Sequence, residues 1–257
     1  MKYVKMHGLG NDYLFVFGAV PENAALLSVK YSDRSRGVGS DGMIYIYYSD
    51  VADFSMRIFN ADGSEARMCG NGIRCVARYV RERGYTDRDE LTVETLSGIK
   101  RVRIDGDQVT VEMGKAEVAS DILLDVGLTC TPVSVGNPHA VVFTDDAEAV
   151  DIYGIGPKIE RNRAFEHRVN VEFVEILSEN ELRMRVWERG SGVTMACGTG
   201  ACASAAAAVA KGYCRAGEPI AVRLDGGALE ITVNGDFTAV LRGGAEFVCE
   251  GEIDENE

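Results

Sequence analysis

The chain has 257 residues, 46% of them apolar, which is enough for one large domain or two modest ones with a core in each. Its formal charge of −13, with no basic run or tail, excludes a nucleic-acid-binding or anionic-membrane surface. Seven cysteines form no small-secreted-domain framework, and neither residues 1–8 nor any later apolar run resembles a leader or a membrane span, so a reducing cytoplasm is the expected location.

In chain order, residues 3–17 alternate as two strands around the loop from Gly8 to Asp12. Residues 22–31 read as a helix, 32–42 as a polar loop, and 43–48 and 54–59 as strands. The turn at residues 60–63 leads into a helix over 70–83, followed by short strands at 91–96, 99–104 and 108–113. This is a β-rich half wrapped round one helix. The plan then repeats. Strands at 133–135 and 140–143 flank a turn over 136–139, and a mixed stretch covers 147–165. A hairpin joins 169–177 to 182–187, a helix runs over 199–211, and strands follow at 220–224, 229–233, 237–241 and 246–249. The boundary between halves is placed near 115–121. Residues 203–210, almost all alanine, predict a helix whose small side chains let strands pack close.

The chemistry concentrates in two echoing stretches, around residues 59–80 and 186–210. Each is a strand, a polar turn, a Cys-Gly-x-Gly and then a helix-forming run, so Cys69 and Cys197 each sit where a helix begins. A helix N-terminus has unpaired N–H groups and the positive end of the helix dipole, which favours a thiolate there and binds a carboxylate. Gly70 and Gly198 let a ligand approach the backbone, and Asn71 and Thr199 add polar groups at the mouth. Either cysteine alone reads equally well as a buried packing residue. The pair in parallel settings points instead to two opposed thiols, one taking a proton from a carbon acid and the other returning one to the opposite face.

Residues 60–74, with the run Met68-Cys-Gly-Asn-Gly-Ile-Arg74, and residues 188–201, with Met195-Ala-Cys-Gly-Thr-Gly200, resemble the two cysteine segments of the diaminopimelate epimerases. The segments 7–13, 37–41 and 136–139 match that family in the same order. The resemblance implies an α+β fold of two pseudo-symmetric halves, each a curled, mostly antiparallel sheet around a central helix. The expected halves are residues 1–116, joined by a C-terminal strand within 245–257, and residues 117–244. It also implies cofactor-independent interconversion of LL- and meso-diaminopimelate in lysine and peptidoglycan precursor synthesis. Cys69 and Cys197 would be the catalytic pair, His139 would support the first thiol, and no metal is expected. Asn11, Asn60, Asn137 and Asn170 are implied as substrate-binding residues, and the family's usual state implies a homodimer.

Glu188-Arg189 suits a zwitterion on the residues' own chemistry: Arg forks a carboxylate, while Glu accepts from an ammonium or tunes the neighbouring thiol. The alternative, and the usual outcome for adjacent charges, is a solvated surface pair. Cys75 and Cys202 are expected in the core, and the cysteine spacings are not those of a metal site. Gly42, Val193 and Met195 depart from side chains common in relatives and bear on selectivity. Two other functions fit parts of the pattern: a racemase of another amino acid, such as histidine or proline, on the same scaffold, and a thiol redox or metal-binding protein.

Overall fold

The computed structural model describes residues 1–254, and the chain divides into two compact units. The first comprises Met1–Val111 and the segment from Gly243 onward, and the second Glu112–Arg242. Residues 255–257 of the expected C-terminal segment lie outside the described residues.

The first unit opens with β1 (Lys2–Gly8) and β2 (Asn11–Phe17), a hairpin closed by Leu9 and Gly10. Both loop residues have positive φ, 56° and 80°. That geometry matches the right-handed twist of the flanking strands and places Asn11 at the first position of β2. A helix, α1 (Ala24–Ser32), crosses to β3 (Gly42–Tyr48), which runs parallel to β2 as a crossover connection requires. Next come β4 (Phe54–Asn60), the two-residue β5 (Glu65–Ala66) and α2 (Gly70–Glu82). Then follow β6 (Glu90–Thr95), β7 (Gly98–Asp105) and β8 (Gln108–Lys115). Strands β4 and β6 are parallel, with α2 as their crossover. The α1 face of the sheet is closed by Leu14, Val16, Ala24, Leu27, Met43, Tyr45 and Phe59. Helix α2 packs on β1, β2 and β7 through a nearly all-buried surface, so β2 and β3 are covered on both faces and carry long apolar runs.

The second unit begins with β9 (Glu117–Val118), β10 (Ile122–Leu123), β11 (Thr129–Ser134) and β12 (Pro138–Phe143). It continues through α3 (Ile152–Glu160), β13 (Asn170–Ser178), β14 (Glu181–Glu188) and β15 (Gly192–Val193). The central helix α4 (Gly198–Ala210) precedes β16 (Pro219–Leu224), β17 (Gly227–Val233) and β18 (Thr238–Gly244). The last strand, β19 (Glu246–Glu252), returns to the first unit and pairs antiparallel with β1. Helix α4 touches β11, β12, β13, β14, β16 and β17, and Ala201, Ala203 and Ala205–Ala208 are fully buried. Only a helix of small residues fits inside so many strands.

The units repeat one plan. The parallel pair β2–β3 recurs as β12–β13, β4–β6 recurs as β14–β16, and β5 on β4 recurs as β15 on β14. The cross-strand pair Met43↔Phe59 corresponds to Val171↔Trp187, and Cys69 and Cys197 follow at the same distance along the chain. The other pairings within each unit are antiparallel, so the expected α+β class with two pseudo-symmetric halves holds. Two details differ from the sequence reading. Pro138 and His139 belong to β12 and not to the preceding turn, Pro138 being the first residue of the strand, where its missing N–H is tolerated. The two-residue strands β5, β9, β10 and β15 are too short to show any periodicity. Among the described residues no helix is long and apolar enough to cross a membrane.

Candidate active site

Each central helix is capped by a cysteine. Cys69 has extended backbone (φ −138°, ψ 116°), and its sulfur accepts from the Gly72 N–H at 3.3 Å. Cys197 repeats this (φ −126°, ψ 109°), accepting from the Gly200 N–H at 3.4 Å. A thiol thus does the work usually given to a Ser or Asp side chain at this position. Gly70 and Gly198, the first residue of each helix, leave the backbone open beside the sulfur.

In the first unit the Cys69 thiol lies 3.5 Å from Asn11 Oδ1, which also accepts from Asn71 Nδ2 at 3.2 Å. Asn11 Nδ2 donates to Asp41 Oδ2 at 2.8 Å. Behind it stand Asp12 and Asp41, matched by Lys5 at 2.9 Å from Asp12 and by Arg34, which reaches Asp12 at 2.7 Å and Asp41 at 2.9 Å. Asn71 is clamped from below by the fully buried Arg74, whose guanidinium donates to Asn71 Oδ1 (2.9 Å) and to the carbonyls of Gly70 (3.0 Å) and Gly244 (3.1 Å). Gly8 makes room for this clamp, because a Cβ there would come within 2.7 Å of Arg74. Asn60, at the end of β4, donates to Ser64 Oγ at 3.0 Å inside its own turn.

In the second unit Cys197 Sγ lies 3.6 Å from Thr199 Oγ1, and Asn137 Nδ2 donates to that hydroxyl at 3.3 Å. Asn137 Oδ1 is 3.0 Å from His139 Nε2, and His139 Nδ1 is 2.7 Å from Glu172 Oε1. The His139 and Glu172 side chains are both fully buried. The resemblance assigned His139 to the first thiol, but both ring nitrogens are bonded within the second unit, in a line that leads to Cys197. Asn170 accepts from the Arg189 backbone N–H at 2.9 Å and donates to the Pro138 carbonyl at 3.1 Å, tying the end of β14 to β12. Glu188 accepts from Thr194, and the exposed Arg189 guanidinium touches the His167 carbonyl at 3.2 Å.

The expectation that a helix start lowers the thiol pKa fails for Cys197. Burial pushes that thiol well up, the Glu188 and Glu172 charges push it further, and the Thr199 and Gly200 hydrogen bonds do not offset them. Cys75, facing the core, is likewise pushed by burial to about 12. Gly42 is not a truncated recognition residue: an added Cβ would lie 2.2 Å from the Phe59 carbonyl oxygen, so the backbone admits no side chain there. Val193 packs on the apolar cluster of the second unit, and Met195 is exposed. Sequence reasoning missed Glu172, which sits in a β-strand pattern of otherwise buried residues; a lone acid inside such a run is the signal that could have found it. It also missed Arg74 and the cluster of Lys5, Asp12, Arg34 and Asp41. All seven cysteines are free thiols, and among the described residues no group of three or more His, Cys, Asp or Glu could hold a metal ion.

Two repeats, each a mixed sheet folded round a helix with a cysteine at its head, define a fold of the epimerase and racemase class. It is shared with a phenazine biosynthesis protein of the PhzF family from Bacillus anthracis (TM-score 0.78, 17% identity, 98% of each chain). It is shared also with a hydroxyproline epimerase from Agrobacterium vitis solved with bound trans-4-OH-L-proline (TM-score 0.74, 17% identity, 98% of this chain and 91% of that one). The family model for diaminopimelate epimerase matches residues 3–119 and 131–248. The chain is 45% identical to the diaminopimelate epimerase of Bacillus cytotoxicus over 275 residues, covering 97% of this chain and 96% of that one. It belongs to the diaminopimelate epimerase family, a family of isomerases.

Proposed function

We propose that this protein interconverts LL- and meso-diaminopimelate without a pyridoxal cofactor, Cys69 and Cys197 forming the proton-transfer pair. The observation that carries the reading is the repetition: a thiol caps the central helix at the equivalent position of both units. One cysteine, as thiolate, removes the α-proton. The other, as thiol, delivers its proton to the opposite face of the carbon, and the product leaves the two thiols with exchanged protonation. Burial and two carboxylates push the Cys197 thiol pKa up, which favours Cys197 as the proton donor and leaves Cys69 the role of base. The N–H groups at Gly70, Asn71, Gly198 and Thr199 meet the α-carboxylate, where charge develops as the proton leaves.

Arg189 and Glu188 complement a carboxylate and an ammonium, and Asn11, Asn60, Asn137 and Asn170 complete the polar lining. Asn170 acts partly through the Arg189 backbone it anchors. His139 supports the Cys197 side. The protein works in the cytoplasm as a homodimer, supplying lysine and peptidoglycan precursors. Proton NMR of reduced enzyme with LL-diaminopimelate in deuterated water tests this reading. Loss of the α-proton signal with formation of the meso isomer is expected, and Cys69→Ala or Cys197→Ala should lower the rate by about 10²–10⁴-fold. Exchange of proline or histidine in place of diaminopimelate would refute the substrate. Near-normal turnover by either cysteine variant would refute the pair.

A further inference from the structure

The two thiol sites match residue for residue at their mouths and differ behind them. Asn11 and Asn71 around Cys69 correspond to Asn137 and Thr199 around Cys197. One layer deeper, β3 pairs Ile44 with Phe15 and Ile58, and β13 pairs Glu172 with Val141 and Val186 in the same register. The space beneath the third residue of each helix confirms the match. A Cβ on Gly72 would meet Ile44 Cδ1 at 2.6 Å, whereas a Cβ on Gly200 would meet Glu172 Oε1 at 2.7 Å and Cys197 Sγ at 3.2 Å. An apolar side chain in one repeat is therefore a carboxylate in the other, beside the glycine that the sulfur also adjoins.

Glu172 is an expensive residue in that place. Its side chain is fully buried, Oε1 is held by His139, and Oε2 has no hydrogen-bond partner. Packing alone would favour the isoleucine of the first repeat. We propose that Glu172 is a positioning residue that keeps the proton on Cys197, with His139 holding its carboxylate in place, so that two nearly equivalent thiols begin each turnover in opposite protonation states. The proposal rests on the reading of Cys197 as one of the proton-transfer pair. The charged groups facing the thiol agree in sign. Glu188 approaches from β14 and Glu172 from β13, and both push its pKa up beyond the effect of burial. His139, from β12, reaches Cys197 only through Asn137 and Thr199. At Cys69 the acids Asp12 and Asp41 lie beyond Asn11 and are matched by Lys5 and Arg34, with Arg74 buried alongside.

Glu172→Gln tests this with little change of shape, since the amide oxygen still accepts from His139. Alkylation rates of Cys197 and Cys69 are read separately by peptide mass spectrometry in the folded protein, and the pH profile of kcat/KM is recorded beside them. Below its pKa a thiol reacts in proportion to its thiolate fraction. Loss of the carboxylate charge should therefore speed Cys197 alkylation by about tenfold, for a shift of about one pH unit. The Cys69 rate should stay unchanged, and the alkaline limb of kcat/KM should move to lower pH. An unchanged Cys197 rate, a parallel rise at both cysteines, or an unmoved alkaline limb overturns the proposal. So does a wild-type Cys197 whose alkylation levels off at an ordinary cysteine pKa, a result that needs no variant. The alkylation rates require no turnover, so they stand or fall apart from the assignment of the catalytic pair.

Discussion

At the scale of single residues, Gly72 and Gly200 separate helix propensity from site chemistry. Both occupy the third position of a helix whose cysteine cap they hydrogen-bond. Alanine at such a position gains about 1 kcal/mol of helix propensity over glycine. At Gly72 the new methyl meets the tip of Ile44, a flexible apolar end that can turn aside. At Gly200 it meets the Glu172 carboxylate, which His139 holds in place. Gly72→Ala should be close to neutral in urea denaturation, while Gly200→Ala should destabilise by about 1–3 kcal/mol as an overpacked site. The Gly200 variant should also lose kcat before KM, because Glu172 and the sulfur are displaced together. Equal stability losses in the two variants would mean that the Glu172 pair is no more rigid than an isoleucine. Gly72 and Gly200 were legible only as the second glycine of each Cys-Gly-x-Gly; what each makes room for was not, because it depends on a strand that arrives from far along the chain.

At the scale of elements, the hairpin of β1 and β2 is pinned to the loop after α1 by the cluster of Asp12, Asp41, Lys5 and Arg34. Burial alone would raise the Asp12 pKa, but hydrogen bonds from Arg34 and Lys5 and their charges outweigh it, and the net shift is downward. A lowered folded-state pKa means that, between the two values, the unfolded chain binds the extra proton, so this contribution rises with pH. It is fully present above the unfolded carboxylate value of about 4 and is lost as pH falls through the lower folded value. Asp12→Asn should accordingly destabilise at neutral pH and converge on the wild type in acid, measured by urea unfolding at a series of pH values. A stability gap that did not narrow in acid would assign Asp12 a packing role instead. None of this cluster was visible as a unit in the sequence, where its members are spread over the β1–β2 hairpin and the loop after α1. The elements themselves were largely legible: α2 and α4 begin within one residue of expectation because the cysteine motif and the polar turn before it mark their N-termini. His139 was misread as a turn residue because a proline next to an asparagine signals a turn locally, and only pairing with β11 and β13 makes it a strand.

At the scale of the whole chain, the fold is one plan used twice, and the echo of the two cysteine stretches was the sequence's trace of it. The trace is weak elsewhere because each copy diverged to suit its own packing: α4 became an alanine rod, while α2 kept the large side chains of Arg74, Arg78 and Tyr79. Chain order and unit membership part company at the end, where β19 leaves the second unit to pair with β1 over the register Lys2↔Glu252 to His7↔Glu246. The same segment receives the Arg74 and Arg78 guanidiniums at the Gly244 and Ala245 carbonyls and ties the N-terminal ammonium to the Ile253 carbonyl at 2.7 Å. A chain ending at Gly244 would lose β19, leave β1 as an unpaired edge and remove part of the anchorage of α2. Its second unit, with its own core around Phe173 and Ile159, keeps every strand that builds it. Hydrogen exchange of the truncated chain should therefore show protection lost across β1, β2 and α2 and retained across β12–β14 and α4. If protection collapsed equally in both units, the C-terminal strand would be holding the entire molecule together rather than completing the sheet it joins.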